Sequence, residues 1–189
     1  MGQILPDWID GVAEDAHAIA LSMLQEKGRG AVLVGAARVD MALEALLKAA
    51  LAPPSGRETL FQTDRPLGSL GAKVALARRL GLIDGSVERA LNVLRKLRNA
   101  FAHSTESASL ADPAHHSRLA EVCAEARVNP LWGPLETVLA AQPPSAHGPL
   151  DPTLRDYILL ITILVAFLEA TAQQLKPVQP PVVMRLGGS

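Results

Sequence analysis

The stretch Leu91-Asn-Val-Leu-Arg-Lys-Leu-Arg-Asn-Ala-Phe-Ala-His103 decides how the rest of the chain is read. Val87, Ala90, Leu91, Leu94, Leu97 and Phe101 recur at spacings of three and four, the signature of an amphipathic helix. Arg98 interrupts that stripe, four residues after Leu94 and three before Phe101. A guanidinium keeps its charge when buried, so a burial there calls for an acidic partner, a dimer seam or a ligand.

Working outward, the composition is that of a helical protein. There are 30 alanines and 30 leucines among 189 residues, and aromatics make up only 3%. Both residues lose little entropy in a helix. No strand-like alternation and no internal repeat is evident, so the expected fold is an all-α, single-domain bundle of about six helices. It spans residues 1–175, with a disordered Pro- and Gly-rich tail over 176–189.

The expected helices follow from breakers and caps. Pro6 and Asp7 open the first, which Gly28 and Gly30 end. A second runs from Ala31 to Leu51, where Pro53-Pro54 stops it. Ser69 caps a short helix ending at Gly81, and Ser86 caps the Arg98 helix. Residues 104–112 read as polar and mobile. A modest helix follows from Pro113 to Val128, then a turn or two after Pro134. Asp151 and Pro152 open a final helix that is apolar all round from Ile158 to Leu168. Such a helix needs cover on every side, and a homodimer seam on it or on the Arg98 helix is the economical source.

Asp40 and Glu44 lie within the apolar stripe formed by Leu33, Ala36, Leu43, Leu47 and Leu51. Buried carboxylates need donors, and Arg98 is the expected one. Lys73, Arg78 and Arg79 on the short helix are expected to reach solvent.

Net charge is −1 but unevenly spread, because residues 57–103 carry nine basic and four acidic groups. With Arg95 and Lys96, the basic residues Lys73, Arg78 and Arg79 form a candidate nucleic-acid surface. Cys123 is alone, so no intrachain disulfide can form and a reducing, cytoplasmic setting is expected. The longest apolar run, Tyr157 to Leu168, falls short of the ~20 residues that span a bilayer, so no membrane association is expected. No phosphate-loop, dinucleotide or zinc signature is present, and His115-His116 with Cys123 lacks metal-site spacing. Neither cofactor nor metal is therefore expected. Residues 69–80 and 86–103 form a helix pair joined by a Gly-containing turn, but the second helix is apolar-striped and over-long for groove reading. Direct sequence-specific DNA binding is not expected.

Arg98-Asn99-Ala100-Phe101-Ala102-His103 resembles the Arg-polar-x-x-x-His motif of the HEPN superfamily. The wider stretch from Leu60 to Ile83, with its Pro66-Leu-Gly-Ser69 segment, short basic helix and Gly81-Leu-Ile83 turn, together with Arg95 to His103, is similar to the mannitol-operon-repressor (MltR) family. The resemblance covers about residues 31–103. It implies either of two functions. The MltR likeness implies a transcriptional regulator or corepressor that acts by protein contacts on a regulatory partner. The HEPN likeness implies a dimeric, metal-independent endoribonuclease, or a module that binds RNA or nucleotide without cutting. For cleavage, the resemblance implies His103 as general acid or base at a ribose 2′-hydroxyl and Arg98 as the stabiliser of the phosphorane. Asn99 would orient one of them, and Asp40 or Glu44 would set Arg98. Five residues advance about 140° around an ideal helix, so Arg98 and His103 share a face only if the helix bends, or if they come from different protomers.

Overall fold

The chain's two long helices, α2 (Gly28–Ala50) and α7 (Pro152–Gln174), pack along each other as the most extensive helix pair. This computed structural model describes residues 8–26, 28–54, 56–57, 59–104, 108–142 and 150–177. Around the central pair stand α1 (Trp8–Leu24), α3 (Leu70–Arg79), α4 (Gly85–His103), α5 (Pro113–Ala126) and α6 (Trp132–Ala140). The described residues are all-helical with connecting turns, as the composition predicts, in a bundle of seven helices where about six are expected. None is long and apolar enough to cross a membrane.

Small residues let α2 and α7 approach closely. A side chain at Gly35 would stand 2.7 Å from Met23 Cε and 3.0 Å from the Tyr157 ring. In the space so left, the Tyr157 hydroxyl donates a 2.8 Å hydrogen bond to the Val32 carbonyl, which satisfies its buried polar tip. Burial pushes the Tyr157 phenol far above its ordinary range. From Tyr157 to Ala166 every residue of α7 is buried. The cover comes from α1, α2, α5 and α6 of the same chain. The all-round apolarity of α7 is therefore accounted for without a second copy, and the sequence argument for a seam on this helix falls away.

Several boundaries differ from the sequence reading for local reasons. Gly28 and Gly30 do not end α1, which stops at Leu24, but begin α2. Asp84, not Ser86, caps α4, its carboxylate accepting from the Ser86 and Val87 amides at 2.9 Å each. Those bonds hold the Asp84 carboxyl below the ordinary carboxylate range. The expected caps at Ser69, Asp151 and Gly81 are found: Ser69 accepts from the Ala72 amide, Asp151 from the Leu154 amide, and Gly81 takes φ +72°. Residues 108–112 are a built turn rather than a loose one, with Leu110 buried and the Ser109 amide donating to Asp112 Oδ2. The remainder of that expected mobile segment at 105–107, and the expected tail from 178, lie outside the described residues.

The helices that carry the candidate site are antiparallel. At one end of the α3–α4 pair, Arg78 Nε lies 3.3 Å from Glu88 Oε2; at the other, Gly71 faces the Arg95 side chain. On the other flank α5 runs against α4, joined by the Arg89–Glu125 ion pair at 2.8 Å and by the Phe101 and His115 rings, 5.6 Å between centroids.

Candidate functional site

Arg98 is exposed, and its guanidinium donates to Asn99 Oδ1 at 3.3 Å. The expected burial against Asp40 and Glu44 is not what the chain does. Those carboxylates are taken by Lys73, whose Nζ lies 2.9 Å from Asp40 Oδ1 and 2.7 Å from Glu44 Oε2. Lys73, expected in solvent, is only 2% exposed. Among the described residues it is the one buried cation, and it is withdrawn from any nucleic-acid surface. Lys48 closes the cluster from the next turn of α2, 2.8 Å from Glu44 Oε1, and the Phe61 ring lies 5.1 Å from Lys48 Nζ. Burial pushes the Lys73 amine down, but its bonds to Glu44 and Asp40 outweigh this and hold it above its ordinary value. Burial likewise pushes the Glu44 carboxyl up, and the bonds from Lys48 and Lys73 bring it below its ordinary value.

Helix length explains the exchange of partners. Arg78 is level with Glu88, and Gly71 with Arg95, so α3 gives out where α4 still has two turns to run. Arg98 stands past that point with nothing from α3 to cover it. Lys73, in the middle of the short helix, is held against α2 instead.

The carboxyl-terminal half of α4 is thus a cationic helix end. Between Arg89 and His103 the helix carries no acidic residue, but Arg95, Lys96, Arg98 and His103. Lys96, Asn99 and His103 are exposed, and their spacing places them on one face. The bond to Asn99 draws the Arg98 guanidinium toward that face from the flank of the apolar stripe. Arg95 is half-buried, its stem 3.5 Å from the position a Gly71 side chain would take, with Nε enclosed and unpartnered. Among the described residues, none of Arg95, Lys96 and Arg98 is in an ion pair, whereas Arg78, Arg89, Arg127 and Arg155 each have a carboxylate.

The structure brings together Arg98, Asn99 and His103, with Lys96 beside them and Arg95 a turn away. It does not bring Arg78 and Arg79 to them. These are exposed at the α3–α4 turn, and Glu88, the partner of Arg78, lies about 22 Å along α4 from His103 at 1.5 Å per residue. Asp40 and Glu44 do not set Arg98. The helix continues to His103, with the Ser104 amide donating to the Ala100 carbonyl, so within one chain Arg98 and His103 remain about 140° apart.

One member of this end was not read from the sequence. Arg29, in the first turn of α2, donates from Nη2 to the Ala102 carbonyl and from Nη1 to the Ser104 carbonyl, both at 3.4 Å. It occupies the cationic place at the helix terminus that sequence reasoning offers to His103. The glycines on either side of Arg29 look like a helix break, which hides it.

Other groups have local roles. His115 Nδ1 lies 3.0 Å from the Ser109 carbonyl and 3.5 Å from Asp112 Oδ2, and its ring rests on Phe101. Cys123 is buried, its thiol 3.7 Å from the Asp156 carbonyl, and burial pushes it up to about 12. Among the described residues no group of three or more His, Cys, Asp or Glu side chains could hold a metal ion. An apolar groove of about 530 Å³ between α4, α5 and α7, lined by Val87, Val122, Val128 and Ile163, lies toward the amino end of α4, away from His103.

No protein-family model matches the chain, and no curated protein or solved structure is significantly similar to it.

Proposed function

We propose that this chain is an RNA-directed module of the HEPN type whose phosphodiester site is the exposed end of α4. The single observation that supports this reading is the placement of Arg98, Asn99 and His103. All three are exposed, and Arg98 is turned by its 3.3 Å bond to Asn99 toward the face that carries His103. An unpaired guanidinium offers a planar fork for a phosphate, and Lys96 adds charge on the same face. The MltR-like alternative, regulation through protein contacts, has no specific observation in its favour, and the expectation that Asp40 or Glu44 sets Arg98 for cleavage is not met, since both carboxylates are on Lys73.

In the chemistry this site suits, a ribose 2′-oxygen attacks the adjacent phosphorus as its proton passes to the His103 imidazole. The bond to the 5′-oxygen breaks, a second imidazole or water returns a proton to that leaving oxygen, and a 2′,3′-cyclic phosphate results. Arg98 neutralises charge on the phosphorane oxygens, with Asn99 holding its fork in place. The 140° between Arg98 and His103 on a straight helix favours a site assembled from two copies, each supplying one of the pair.

The test is incubation of the protein with single-stranded RNA in the presence of a chelator, with His103→Ala and Arg98→Gln alongside. Products ending in cyclic phosphate with the wild type, and none with either variant, support the reading. RNA retained without products narrows it to a binding module, and no retention at all removes it.

A further inference from the structure

Arg29 is joined to the candidate site from another helix, and none of the chemistry above uses it. It is the second residue of α2, and α2 opens beside the residues that close α4. Its two Nη atoms reach separate carbonyls, Ala102 and Ser104, which flank His103 in the chain. Ala102 lies in the last turn of α4, whose carbonyls a helix terminus leaves without intrahelical donors. A forked guanidinium can span two such oxygens, whereas an ammonium is a point charge. At the amino end of α2, Gly30 leaves room for the Glu26 carboxylate, whose Oε2 lies 2.8 Å from where a Gly30 side chain would begin. A carboxylate beside a helix amino end is electrostatically favoured.

We infer that Arg29 is a positioning residue. By bridging the Ala102 and Ser104 carbonyls it fixes the last turn of α4, and so holds Asn99 and His103 in the register that meets an RNA phosphate. This rests on the RNA-directed reading for its purpose, but not for its geometry. Among the described residues, the charged and titratable groups around this turn include Arg98, Lys96 and His103 on α4, Arg29 on α2 with Glu26 just before that helix, and His115 on α5 with its partner Asp112.

Two substitutions separate fork from charge: Arg29→Gln, which removes both, and Arg29→Lys, which keeps only the charge. Amide hydrogen exchange without RNA reports on the turn, and polarisation of a labelled single-stranded RNA reports on the site. Both variants are expected to speed exchange at residues 101–104 about threefold to tenfold, with α7 unchanged, because exposed end-turn bonds open locally. Both are also expected to weaken RNA binding by a similar factor. Unchanged exchange in both variants overturns the inference. So does wild-type RNA affinity in Arg29→Lys, which assigns Arg29 a charge role only. Faster exchange with a wild type that binds no RNA upholds the positioning role while defeating the RNA-directed reading.

Discussion

Lys73 and Glu44 meet across the α2–α3 contact at 2.7 Å, and the lysine side chain is almost wholly enclosed. Asp40 lies on the same ammonium at 2.9 Å, so one interior cation is shared by two carboxylates a helical turn apart. The cluster ties α3 to α2 and leaves neither Asp40 nor Glu44 on Arg98.

Removing the cation should therefore be costly. Lys73→Met leaves Asp40 and Glu44 facing apolar surface, although both still touch solvent and Glu44 keeps Lys48. The expected loss is about 2 kcal/mol, discounted from the ~3–5 kcal/mol of a fully buried pair. Urea denaturation checks it, and a change under ~0.5 kcal/mol would show that the cluster is an incidental surface network.

The same cluster gives the fold a pH profile. Glu44 titrates below its ordinary 4.5 when folded, so its contribution is complete above that value and is lost as pH falls through the folded value. Lys73 titrates above its ordinary 10.5, so its contribution is complete below that value and is lost as pH rises through the folded one. Lys73→Met should then flatten both limbs of the stability profile. Denaturation midpoints across the range would show it, and an acid limb of unchanged depth in the variant would assign that limb to other carboxylates.

Glycines should divide by what surrounds them. Gly35→Ala forces Met23 and Tyr157 away from α2 and is expected to cost about 1–3 kcal/mol. Gly133→Ala, in α6 with nothing within 4 Å of the new methyl, is expected to gain about 0.5 kcal/mol. Thermal melts of the two variants should move in opposite directions.

Cys123 should be inert in the folded protein. A thiol pushed up to about 12 carries roughly a thousandfold less thiolate near neutral pH than a free cysteine, and it is also enclosed. Iodoacetamide labelling should be slow until denaturant is added, and rapid labelling without denaturant would place the thiol in solvent.

The helical fold was legible because periodicity and caps act locally. Ser69, Gly81, Asp151 and Pro152 each mark a helix end by chemistry confined to a few residues. The charge pairing was not legible, because it depends on relative helix length and register. Leu91 and Arg98 lie on the same side of α4, one heptad apart, yet Leu91 is buried and Arg98 exposed. Gly71, at the amino end of α3, lies against Arg95, so α3 flanks α4 only up to that level, short of Arg98, and no periodicity within α4 carries that information. Asp40 and Glu44 did advertise an interior cation, and its identity as Lys73 required the α2–α3 register. Arg29 was hidden for a related reason, since its partners are carbonyls about seventy residues away in the chain.

Exposure makes the candidate site separable from stability. Arg98→Gln and His103→Ala should each change unfolding free energy by less than ~0.5 kcal/mol, as expected for surface positions. Circular dichroism melts check this, and a large drop in either variant would return that residue to a structural role.

The central claim is that the exposed end of α4 binds phosphodiesters. The most direct measurement is the affinity for single-stranded RNA as a function of salt, for wild type, Arg98→Gln and, as a control, Arg79→Gln. Each phosphate contact contributes about −0.7 to the slope of log K against log salt. Arg98→Gln should weaken binding and make the slope shallower by about that amount, while Arg79→Gln, far along the bundle, should leave both unchanged. Equal affinities and slopes for wild type and Arg98→Gln would contradict the account.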